Sequence, residues 1–171
     1  MSKLLFYHLF TFFTMDNTLS LSIRHRELTR QRDKEFLALY VPTLDTMIEQ
    51  GVPHPQMSAV AFTIANGHPH YHVDLENAYR RVCHMLKAEE KTRSNARTYD
   101  SASEVNLAHD RLRRQMWAEI TQRVRDLLKQ GLSVERATEH VLTHCRASRF
   151  FITPSTALTK ICPQARTRAL R

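Results

Sequence analysis

The amino-acid sequence predicts an all-α protein of about six helices, in two degenerate tandem three-helix units, each with a short aromatic extended segment before its last helix. Apolar residues recur at intervals of three and four over several stretches, the period of one helix face. Only three glycines and few β-branched runs favour helix over sheet. The third observation is internal similarity. The stretch from Ala147 to Cys162 has a degenerate copy 79 residues earlier, from His68 to Cys83. Tyr71 matches Phe150, Val73 matches Ile152, Ala78 matches Ala157, Val82 matches Ile161 and Cys83 matches Cys162. Upstream, at a spacing of 80, Phe36 falls on Met116, Leu37 on Trp117, Tyr40 on Ile120, Leu44 on Val124 and Gln50-Gly51 on Gln130-Gly131.

At 171 residues the chain is one domain by length, or two small ones sharing a core. The sequence divides into an apolar N-terminal tail (1–21), a first helical unit (22–88), a polar linker (89–105), a second helical unit (106–163) and a basic tail (164–171). Within the first fourteen residues, the run from Leu4 to Phe13 follows a single Lys3 and is interrupted by His8. It lacks a small-residue cleavage site and is too short to span a bilayer. It reads as an upstream start extension or a loosely attached tail, and no membrane partner is expected.

From Ser22 to Gln50, Leu28, Phe36, Leu37, Tyr40, Leu44, Met47 and Ile48 form one helix face. Pro42 removes a backbone donor, so a kink or break is expected near Val41, and Gly51 ends the segment. A short helix over Gln56 to Ala65 follows, with Met57, Val60, Ala61 and Ile64 expected inward. Asn66-Gly67-His68-Pro69 is a turn by its chemistry. Asp74 caps the third helix, which turns Leu75, Ala78, Val82 and Met85 inward. Residues 89–103 are almost free of apolar side chains.

Asn106 to Gln130 is the most regular helix, with Leu112, Met116, Trp117, Ile120, Val124, Leu127 and Leu128 in one stripe and Trp117 as a core anchor. Gly131 stops it. Ser133 caps the next helix, in which Val134, Ala137, Val141 and Leu142 face inward. Phe150, Phe151 and Ile152 form an apolar run, Thr153 is an N-cap, and Pro154 is preorganised for the first turn of a helix ending at Cys162. Ala157, Leu158 and Ile161 give that helix a buried face.

The net charge of +8 favours polyanionic partners. Most of it lies at the C-terminal end, where no acidic residue follows Glu139 while Arg146, Arg149, Lys160, Arg166, Arg168 and Arg171 add six positive charges. The cysteines Cys83, Cys145 and Cys162 are too few, and odd in number, for a disulfide framework, and fit a reduced cytoplasm.

With three helices per unit and basic and hydroxylic residues on the last of each, the chain resembles helix-turn-helix DNA-binding proteins. The resemblance implies that Leu75 to Met85 and Pro154 to Cys162 are presented to double-stranded DNA. Thr153, Ser155, Thr156, Thr159 and Lys160 on one, with Asn77, Arg80 and Arg81 on the other, are then the groups for base edges and phosphates. Arg146, Arg149, Arg166 and Arg168 supply further phosphate contacts. One departure stands out. The connection from Cys145 to Ile152 is some eight residues long, where the motif turns in three or four. The first unit's last helix has fewer basic groups and an acidic first turn, the features of a packing or dimerisation copy, so a homodimer is an expected state. On this reading the protein is a small DNA-binding regulator of transcription. The alternative is a helical protein–protein adaptor without nucleic-acid activity, which has no use for an acid-free C-terminal third.

His68, His70 and His72 share one face of an extended segment, within possible reach of His54, Cys83 and His84, a set suited to a transition metal. Alternating histidines beside a proline also read as surface polar residues, and neither a metal nor any other cofactor is expected. No enzyme is expected either. There is no glycine-rich phosphate loop, nucleophile elbow or paired histidine–glutamate zinc motif, and Glu89-Glu90 sits in the polar linker.

Overall fold

The computed structural model describes residues 4–94 and 107–163. The tail with Arg166 and Arg168, and linker residues 95–105, lie outside the described residues. Within them the protein is all-α, with helices α1 (Leu4–Glu49), α2 (Pro55–Asn66), α3 (Leu75–Ser94), α4 (Leu107–Leu128), α5 (Val134–His144) and α6 (Pro154–Thr156). A π-helical turn, Ala157–Ile161, continues α6 without interruption. No strand is present among the described residues, only a single antiparallel bridge between His70 and Arg146.

The helix ends follow local chemistry. Gly51 (φ 66°) and Gly131 (φ 89°) adopt the left-handed conformation that glycine enters without strain. At each, the glycine and the residue after it donate back into the last turn: Gly51 to Ile48 and Val52 to Met47, then Gly131 to Leu128 and Leu132 to Leu127. At the N-termini, Asp74, Ser133 and Thr153 accept from the amides of Asn77, Arg136 and Thr156.

Three expectations are corrected. Pro42 does not break α1, which stays helical from Leu4 to Glu49. Phe36, Leu37 and Tyr40 before it and Leu44 and Met47 after it enter the same core, so packing on both sides outweighs the local cost of about 3 kcal/mol. On α2 the buried residues are Ala59, Val60, Thr63 and Ile64, and Met57 and Ala61 are exposed. Ile48 and Leu75 are exposed as well.

The core forms two clusters, and each draws its last helix from the other half of the chain. In the first, Phe36, Leu37 and Tyr40 of α1 and Ala59, Val60 and Ile64 of α2 pack with Phe150, Ile152, Ala157 and Ile161. In the second, Trp117, Ile120 and Val124 of α4 and Ala137 and Val141 of α5 pack with Tyr71, Ala78 and Val82. Thus α3 rests on α4 and α5, while the α6 segment rests on α1 and α2. The adjacent rings Phe150 and Phe151 part company. Phe150 is 1% exposed in the first cluster, edge-on to Phe36 at 5.2 Å, and Phe151 is a partly buried neighbour of the second.

Gly67 permits this close approach. A Cβ there would lie 2.2 Å from the Phe150 ring and 2.6 Å from the Thr63 carbonyl oxygen. Its backbone is right-handed, so the constraint is space rather than φ. Gly67→Ala is expected to destabilise the fold by about 1–3 kcal/mol through overpacking, measured as a lower urea midpoint. An unchanged midpoint would mean that the Phe150 ring can move aside at no cost.

Candidate nucleic-acid interface

Two extended segments cross where the halves exchange helices. The Ala147 amide donates to the Pro69 carbonyl at 2.7 Å and the Phe150 amide to the Ile64 carbonyl at 3.0 Å. Each long helix secures the crossing with one carboxylate. Glu35 of α1 accepts from the His70 amide (3.1 Å), His70 Nδ1 (2.6 Å), His72 Nε2 (3.0 Å) and the Arg146 guanidinium (3.3 Å). Glu119 of α4 accepts from the Ser148 amide (2.9 Å) and hydroxyl (2.6 Å), the Tyr71 hydroxyl (2.5 Å) and Arg123 (2.9 Å). Burial would raise both carboxyls, but these donors outweigh it and hold each below the ordinary carboxylate range. Burial, reinforced by the bond to Glu119, pushes the Tyr71 hydroxyl well above its usual range and keeps it a donor.

His72 makes the crossing acid-sensitive. Burial lowers its pKa below the ordinary 6.5, with smaller contributions in the same direction from His70 and Arg32, against the opposing pull of Glu35. The folded state therefore binds this proton less readily than the unfolded chain. Its contribution to stability is present above pH 6.5 and is lost as pH falls through the lower folded value. Glu35 acts in the same direction below its ordinary 4.5. His72→Gln, which keeps a donor but does not titrate, is expected to flatten the change in urea midpoint between neutral pH and pH 5.5. Parallel pH profiles for variant and wild type would refute this.

Beside the crossing lies a cleft of about 1290 Å³, bounded by α1, α3, α4, the two extended segments and the α6 segment. Its lining is strongly basic. Arg24 and Arg32 come from α1, Arg80 and Arg81 from α3, Arg113 and Arg114 from α4, Arg149 from the second extended segment and Lys160 from the turn after α6. The only carboxylates in the lining are Asp74 and Asp110, and Asp74 is engaged as the α3 cap. Arg32 pairs with Asp33 at 2.7 Å and Arg80 with Glu76. Arg81, Arg113, Arg114 and Arg149 have no ion-pair partner among the described residues, and the buried Nε of Arg149 has no hydrogen-bond partner.

Comparison with protein-family models, curated proteins and solved structures finds no match. The chemistry of the cleft must be read from its own residues.

Of the residues singled out from sequence, Asn77, Arg80, Arg81, Arg149, Thr156 and Lys160 line the cleft. Ser155 and Thr159 are exposed but do not line it, and the Thr159 hydroxyl donates to the Ser155 carbonyl at 2.8 Å. Thr153 is occupied as the α6 cap. Arg146 is outside the lining, and its guanidinium sits on Glu35 and against His70. Sequence reading missed Arg24, Arg32, Arg113 and Arg114. Arg113 and Arg114 share a face of α4 with His109 and Asp110, a spacing visible in the sequence, but nothing local shows that this face meets α3. Among the described residues no group of three or more histidines, cysteines or acids is arranged to hold a metal ion. No helix among them is long and apolar enough to cross a membrane.

Proposed function

We propose that the protein binds double-stranded DNA in this cleft and acts as a small DNA-binding regulator. One observation carries the reading: eight lysine and arginine side chains from five segments face one concavity with two aspartates. Crowding like charges opposes folding, and a phosphate backbone relieves that repulsion while releasing its own counterions. Asn77 and Arg81 of α3, with Thr156 and Lys160 beside them, add groups able to reach base edges. The three free cysteines fit a reducing cytoplasm.

The proposal rests on the cleft rather than on a tight helical turn. Nine residues, 145–153, separate α5 from α6, and they carry α6 to the other half.

Fluorescence anisotropy of the full chain on a mixed pool of short duplexes, titrated with salt, tests the reading. The logarithm of the association constant is expected to fall linearly with log salt, with a slope of about −0.9 per phosphate contacted. Absence of duplex binding at low salt by folded protein would sink the proposal and leave the helical adaptor as the better account. Tighter binding to single strands or to RNA would replace duplex DNA as the partner.

A further inference from the structure

Two positions 79 apart in the chain meet at the crossing, and two further such pairs line the cleft. The His68 ring nitrogen lies 3.3 Å from the carbonyl oxygen of Ala147, the residue 79 positions later. The Pro69–Ala147 hydrogen bond and the His70–Arg146 bridge step outward from the same centre. A two-fold axis through an antiparallel crossing brings a residue against its own counterpart, as His68 and Ala147 meet here. The cores repeat this relation, since Tyr71, Ala78 and Val82 occupy in one cluster the places that Phe150, Ala157 and Ile161 occupy in the other. In the cleft wall, Asn77 corresponds to Thr156 and Arg81 to Lys160.

We infer that the cleft lies on a local two-fold axis within a single chain and takes a duplex site built as an imperfect inverted repeat, with one half-site facing α3 and the other facing the α6 segment. This rests on the DNA-binding reading above. The two strands of a duplex run antiparallel and are themselves related by two-fold axes, so proteins with two-fold symmetry bind sites with matching symmetry. Two-chain proteins obtain that symmetry by dimerising. Here α3 and the α6 segment supply both readers from one chain.

The half-sites differ because the readers differ. Arg81 presents a planar fork able to grip a guanine through two hydrogen bonds, while its counterpart Lys160 presents a single ammonium. Asn77 offers a carboxamide that can donate and accept together, where Thr156 offers a hydroxyl. The α3 half-site therefore carries the stronger base preference.

Selection of sites from a random duplex pool by the full chain, followed by the mass of the selected complex, tests the inference. An imperfect inverted repeat bound by one chain is the expected result. Arg81→Ala is expected to reduce base discrimination roughly ten- to hundredfold in one half-site only. Lys160→Ala should act on the other half, and more weakly. A single asymmetric element, a direct repeat, unselective binding, two chains per site, or both variants eroding the same base pairs would overturn the inference while leaving the DNA-binding reading intact. Loss of all duplex binding by the wild-type chain would remove that reading too.

Discussion

Neither half of the chain is expected to fold alone. A fragment of residues 1–100 keeps α1, α2 and α3, yet it lacks Phe150, Ile152, Ala157 and Ile161, which complete the core over Phe36 and Val60. Removing Phe150 alone costs about 3–5 kcal/mol. That is already much of the roughly 5–15 kcal/mol that holds a domain of this size together. The complementary fragment, 101–171, loses Tyr71, Ala78 and Val82 from over Trp117, Ile120 and Val124. Each piece should show weak helical circular dichroism and no cooperative melt. Mixing them should restore both, because together the two pieces supply the residues of both clusters. A fragment that melts cooperatively by itself would show that the exchange of helices is dispensable and that the halves are independent units.

Neutralising Arg81, Arg113 and Arg114 together is expected to remove most duplex binding while leaving the fold unchanged. All three line the cleft without an ion-pair partner among the described residues, so their loss breaks no ion pair there. If Arg113 and Arg114 each meet one phosphate while Arg81 meets a base, the salt slope should shallow by about 2 × 0.9, and affinity at low salt should fall on the order of a thousandfold. Arg146→Ala provides the contrast. Its guanidinium sits on Glu35, outside the cleft, so its loss should loosen the crossing with little change in the salt slope. A triple variant that binds like wild type would exclude the cleft, whereas an Arg146 effect matching that of the triple variant would place the contact surface elsewhere.

The residues themselves disclosed more of the fold than of the site. The glycine stops, the caps at Asp74, Ser133 and Thr153, and the stripes on α1 and α4 could all be read in order. The α6 segment was visible as a carrier of functional groups, and Arg149 and Lys160 do reach the cleft. Arg146 could not be separated from Arg149 by charge alone. In the extended segment they face different surroundings, one meeting Glu35 and the other facing the cleft.

Although α1 starts at Leu4 and α3 runs on to Ser94, the sequence by itself determined the glycine-closed and side-chain-capped helix ends and which face of most helices is apolar. Those features depend on bonds made within a turn or two: Gly51 and Gly131 close their helices on their own last carbonyls, and Ser133 and Thr153 hold amides three residues away. Only the tertiary structure decided which partner each apolar face would meet. An amphipathic stripe specifies burial without specifying against what, and the last helices of the two halves carry matching stripes. The choice was made by the crossing at Pro69 and Ala147, clamped by Glu35 and Glu119. That crossing sends Phe150 to one core and Tyr71 to the other, and it sets the arginines of α1, α3 and α4 around a single cleft.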